Sequence, residues 1–228
     1  MTFLEASSPD QDALTEGLAE VFFSPVEPYE FARDPDQPPP LRAYALIDAS
    51  QSPDIAVLLE AFDSPARCLF DGDVGEDLAE VAPWLVELTR FDDAWDWFVA
   101  DGYGKNWGIL LHSRLELPRL KTQLKRFLKI TDEKGETFFF KYYRPRHLNA
   151  YLPVFDDVQM ASFMKGIETL FTEGDKDANT LLQYRLKPQG GLALTTHDLR
   201  RVGEPLMPRV PSEEDAALYL HAMREGAK

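Results

Sequence analysis

The sequence predicts an α/β fold, a mixed sheet with flanking helices, and three observations carry that prediction. Short apolar runs alternate with amphipathic stretches from residue 42 onward, and Gly, Pro and Asp clusters punctuate them. The 228 residues are 44% hydrophobic, enough for one large domain or one domain with a small appendage. A short N-terminal helix and a proline-rich strap precede this body, and a β-rich and helical extension follows it.

The elements follow in order. Ser8 is a helix cap with Pro9 at the first helical position and Gln11 three residues after the cap; Leu14, Leu18, Val21 and Phe22 then recur at helical spacing. Six of the seventeen prolines lie between residues 25 and 40, a density that forbids helix and favours extended chain, with Tyr29 and Phe31 as its anchors. Strands are expected at 44–47, 66–70, 84–88 and 106–111, and helices at 53–62, 92–101 and 118–128. Residues 129–131 and 137–143 read as a hairpin around Glu133-Lys134-Gly135. Pro145 opens a short helix to residue 151, another helix spans 156–165, and strands follow at 167–172, 180–187 and 192–196. A last helix starts at Ser212-Glu213-Glu214-Asp215, a capping box if Asp215 replaces the usual Glu. The divisions are therefore 1–41 (helix and Pro-rich linker), 42–155 (α/β domain), 156–201 (β-rich part of the body) and 202–228 (linker and helix).

Charge is segregated. The net charge is −15, yet residues 114–146 hold 10 Lys/Arg against 4 Asp/Glu, while residues 1–113 hold 5 against 23. An acidic whole repels nucleic acid and anionic membrane, so neither is expected as a partner. One basic segment within it orients a macromolecular encounter, or is simply a solvated helix face. The helix at 118–128 is the sharpest case: Leu117, Leu120, Leu124 and Leu128 form a stripe, and Arg119, Lys121, Lys125, Arg126 and Lys129 occupy much of the rest. Together with Arg144 and Arg146 these cations form the candidate protein-binding set.

Motifs for chemistry are weak. The acidic run 71–77 has Glu76 and Ala82 where a calcium loop requires Gly and Glu, so no metal is expected. The glycine-rich run 102–108 follows a helix and precedes a strand, the reverse of a phosphate-binding loop. His112, His147, His197 and His221 lack metal-ligand spacing, and no Gly-x-Ser-x-Gly elbow exists. No catalytic residue and no cofactor is expected. A lone Cys68 beside Leu69 and Phe70 reads as an inert core thiol and suits a reducing compartment. The longest apolar runs fall far short of the ~18 residues of a membrane span, and residues 1–10 lack the basic and apolar regions of a secretory signal. A cytoplasmic location is expected.

Several pieces occur together in a recognisable order. Arg67-Cys68-Leu69-Phe70-Asp71-Gly72 is followed by Ala82-Pro83-Trp84-Leu85-Val86-Glu87-Leu88, then by Trp107-Gly108, and then by Phe139 to Leu148 with its Pro145-Arg146 step. Over about residues 43–152 this set resembles the type VI secretion effector chaperones and adaptors. The resemblance implies a non-enzymatic adaptor that binds a cognate toxic effector and promotes its loading onto the VgrG spike. It also implies structural roles for Arg67, Leu69, Asp71, Gly72, Pro83, Trp84, Trp107, Gly108, Pro145 and Leu148. The chain departs from the family in having Lys141 and Arg144 where Arg and Asp are frequent, which implies a charged pair absent or inverted at that turn. Three alternatives stay open: a small hydrolase using His112 or His197, a nucleic-acid module stacking bases on residues 138–143, and an immunity protein.

Overall fold

The computed structural model describes residues 9–26, 38–72, 78–131, 134–200 and 205–206. Its centre is an eight-stranded sheet. In chain order the elements are α1 (Pro9–Phe23), β1 (Arg42–Asp48), α2 (Ile55–Ala61), β2 (Ala66–Cys68), β3 (Pro83–Leu88), α3 (Asp93–Trp97) and β4 (Gly108–Ser113). They continue as α4 (Leu117–Lys125), β5 (Lys129–Thr131), β6 (Thr137–Phe139), α5 (Pro145–Tyr151), α6 (Asp157–Phe163), β7 (Thr169–Glu173), β8 (Thr180–Leu186), β9 (Leu192–Asp198) and β10 (Pro205–Leu206).

The α/β class holds, but the sheet is not mixed: in the order β10-β9-β8-β7-β4-β1-β3-β2 every pairing is antiparallel. The alternation of strands and helices has a different cause from a parallel sheet. The connections through α2 and α3 each skip one strand position, and the skipped place is filled by a strand running the other way. Among the described residues β5 and β6 pair only with each other.

Period-two alternation distributes the core to both faces. Ala43, Ala45 and Ile47 of β1 join Trp84, Val86 and Leu88 of β3 beneath α1, α2 and α3. Tyr44 and Leu46 join Leu85, Ile109 and Leu111 beneath α4, α5 and α6. β1 is therefore buried on both sides and reads as a continuous apolar run. The lead helix α1 packs against the sheet: Leu18 and Phe22 are fully buried, and Phe22 stacks between Trp95 and His112. Each such side chain contributes about 1.5–3 kcal/mol. The Ser8 cap, most of the proline strap (27–37), the acidic loop 73–77 and the C-terminal helix lie outside the described residues. Within the expected 202–211 linker, Pro205 and Leu206 add an edge strand to β9.

Three elements depart from expectation for identifiable reasons. The helix at 92–101 tightens to α3 and continues as a π turn, closed by Tyr103 N–H donating to the Phe98 carbonyl at 2.8 Å; the wider turn lets Trp95, Phe98, Val99 and Tyr103 all reach the core. The strand at 137–143 ends at Phe139, because Phe140, Tyr142 and Tyr143 dive into the core under α4 and α6, where the Tyr142 hydroxyl donates to the Leu124 carbonyl at 2.7 Å. Cys68 lies half-buried on edge strand β2 instead of deep in the core, and burial raises its thiol pKa. Trp95 is buried, whereas Trp97, two residues on, meets Phe62 and Trp107.

Candidate interaction surface

The cations of the basic segment follow different local rules. In α4 the stripe Leu117, Leu120 and Leu124 is buried, as is Leu128 beyond it, so helical spacing turns Arg119, Lys125 and Arg126 outward. Pro118 in the first turn has no N–H to satisfy there, which suits it to start this helix.

Asp71 receives two of these lysines. Lys121 Nζ lies 2.5 Å from Asp71 Oδ1, and Lys125 Nζ contacts Oδ2. The Asp71 carboxyl is held down to about pKa 2, first by its hydrogen bond from Lys121 and then by that from Lys125. Gly72 follows with φ +62, a left-handed conformation that glycine adopts without a Cβ clash. The Asp-Gly step thus turns the chain under α4 and neutralises part of its basic face.

Arg144 serves the interior. Its Nε donates to Asp48 Oδ2 at 2.6 Å, and its Nη2 to Ser50 Oγ at 3.0 Å. Asp48 has no exposed surface, and Ser50 N–H, Ser50 Oγ and Gln51 Nε2 complete its shell. The turn therefore carries a charged pair, with its acidic partner supplied by the end of β1 and not by the turn itself. Sequence reasoning missed Asp48, which reads as the last residue of an apolar strand. Arg146 is exposed at the start of α5, and its backbone N–H donates to the Asn106 side chain at 3.0 Å.

The remaining motif residues occupy packing and turn positions. Arg67 donates to the Ala66 carbonyl on the sheet edge. Leu69 and Leu148 have no exposed surface. Pro83 opens β3, and Trp84 Nε1 donates to the Ala79 carbonyl at 2.8 Å. The Trp107 carbonyl accepts from Asp48 N–H at 2.7 Å, and a Cβ on Gly108 would stand 2.6 Å from the Leu46 carbonyl oxygen. Only glycine allows β4 to approach β1 there. Pro145 occupies the first turn of α5.

The histidines of the hydrolase alternative are tied into the sheet. His112 is fully buried in β4 between Phe22 and Phe171, with Nε2 2.8 Å from the Phe22 carbonyl, and burial lowers its pKa to about 4. His197 Nε2 lies 2.7 Å from the Gln183 side-chain amide, and burial lowers its pKa too. Among the described residues no His/Cys/Asp/Glu group has metal-binding geometry, and no helix is long and apolar enough to cross a membrane.

The hairpin β5–β6 contributes the other component of this surface. Ile130, Phe138 and Phe139 are 43%, 49% and 61% exposed, and Lys129 Nζ stands 5.4 Å from the Phe139 ring centre. Sequence reading placed an aromatic strand here; the exposure of two of its rings became visible only in three dimensions.

A family model described as "Domain of unknown function (DUF4123)" matches residues 43–162, from β1 to α6. No curated protein and no solved structure matches the chain.

Proposed function

Since the chain belongs to the DUF4123 family, matched over more than half its length, we propose that it is a cytoplasmic adaptor of type VI secretion. In this reading it holds a cognate toxic effector, promotes its loading onto the VgrG spike, and acts by binding without turnover. The observation that carries the proposal is the division of labour among the ordered motif residues. Leu69, Trp84, Gly108 and Leu148 serve packing, close strand approach or turns, which is what a scaffold signature requires. The surface they support combines exposed cations with exposed aromatic rings on an otherwise acidic chain, the composition of an interaction face for an acidic protein.

The hydrolase alternative is less well supported. His112 is sealed between two phenylalanine rings and has no path to a substrate.

The test is recovery of the tagged chain from its native bacterium at moderate salt, with companions identified by mass spectrometry. Co-purification of a toxin-like protein, with or without VgrG, is the expected result. A clean monomer or bound nucleic acid overturns the proposal. Neutralisation of the toxin's activity by the purified chain would make it an immunity protein instead.

A further inference from the structure

The hairpin β5–β6 is anchored at its root. There Leu128 and Phe140 are buried, and Phe140 N–H donates to the Leu128 carbonyl at 2.9 Å. Beyond the root it forms a two-stranded ladder of three residue pairs outside the main sheet. Such a ribbon is marginal in water unless an apolar face is covered. Directly opposed residues share a face, so Ile130 lies beside Phe138, and Lys129 beside Phe139. Each face presents an aromatic ring. The ring of Phe70, 6.3 Å from that of Phe139, covers part of one of them.

The cations at the root of this ribbon differ from those that meet Asp71. Arg126 and Lys129 are exposed and form no ion pair with another described residue, whereas Lys121 and Lys125 share the carboxylate of Asp71. In sequence the ribbon holds Lys129 and Lys134 against Asp132, Glu133 and Glu136, so attraction for an acidic segment comes from the root, where Arg126 precedes the ribbon and Lys129 stands beside Phe139. Exposed aromatic rings next to cations also have the composition of interface hot spots.

We propose that the β5–β6 hairpin, centred on Phe138 and Phe139, is the anchor for an acidic segment of the carried protein whose apolar side chains cover these rings. The proposal rests on the adaptor reading and adds to it the site and the chemistry of the partner. Arg126 and Lys129 steer the segment's carboxylates, and the rings supply most of the affinity.

Photo-crosslinking of the full chain in its native bacterium tests this. p-Benzoylphenylalanine is placed at Phe139 and, in a separate strain, at Phe91, which is 89% exposed in the turn before α3. The expected result is a crosslink from position 139, and not from 91, to an acidic, apolar-bearing segment of the co-purifying protein. That segment, made as a synthetic peptide, should bind the purified wild-type chain and lose roughly tenfold or more in affinity to Phe138→Ser/Phe139→Ser. Lys129→Glu should weaken it less and flatten its salt dependence, while Val158→Ser, an exposed position on α6, leaves it unchanged.

A companion that still co-purifies but crosslinks only from position 91, or binds the double variant as tightly, overturns the hairpin site and leaves the adaptor reading intact. Crosslinks from position 139 only to RNA or to a second copy of this chain overturn the proposed partner. A wild-type chain without any companion overturns both readings.

Discussion

Arg144 and Lys125 belong to the same basic run, yet the structure gives them opposite duties. Arg144 reaches a carboxylate with no exposed surface, whereas Lys125 shares with Lys121 a carboxylate that is 55% exposed. The lesson lies in solvation. A buried charge stripped of its partner keeps its full desolvation cost, while an exposed one is simply rehydrated. The same residue types are thus structural at one end of the segment and available for exchange with solvent, salt or a partner at the other.

The sharpest way to break this contrast is Arg144→Ala. It should cost about 4 kcal/mol in chemical denaturation by leaving Asp48 buried and unpaired. Asp48→Ala/Arg144→Ala together should cost less than Arg144→Ala alone; if the two costs add, Arg144 does not act through Asp48.

His112 asks whether burial without any ion pair has similar weight. Its pKa is about 4 in the fold against an ordinary value near 6.5, so the unfolded chain binds more protons between those limits. Its stabilisation is complete above about pH 6.5 and drains away as pH falls toward 4, by on the order of 3 kcal/mol. The difference in unfolding free energy between wild type and His112→Phe, measured across that window, should shrink by this amount; a pH-independent difference removes the assignment.

Gly108→Ala tests crowding without charge. Its Cβ would press on the Leu46 carbonyl, and a loss of about 2 kcal/mol is expected. The smallest effect should come from Asp71→Asn, which removes an exposed carboxylate from half-buried Lys121 and exposed Lys125 and shifts the thermal midpoint by at most about 3 °C. Its carboxyl titrates near pH 2, so any stability it contributes persists above its ordinary value near 4 and is lost only as pH falls through about 2. A large loss at neutral pH would place Asp71 with Asp48 and erase the distinction.

Much of the fold was legible locally. The leucine stripe of α4, the proline opening α5 and the apolar run of β1 are each written within a few residues, and the structure has all three. The candidate surface was only half legible. Its cations are countable in the chain, but their partners are not: Lys125 meets Asp71 across 54 positions and Arg144 meets Asp48 across 96. The aromatic run at 138–143 carried no sign of its division, with Phe138 and Phe139 outside and Phe140, Tyr142 and Tyr143 inside.

By itself the sequence determined the succession of helices and strands, the segregation of charge and the membership of residues 43–162 in DUF4123. Each of these depends on spacing or order along the chain. Only the tertiary structure decided that the sheet is antiparallel throughout, that α1 packs into the body, that Lys121 and Lys125 are already engaged, and that an aromatic hairpin stands clear of the core. The physical reason is that strand order and ion pairing are contacts between distant segments, chosen by the burial of the whole molecule and not by any local period.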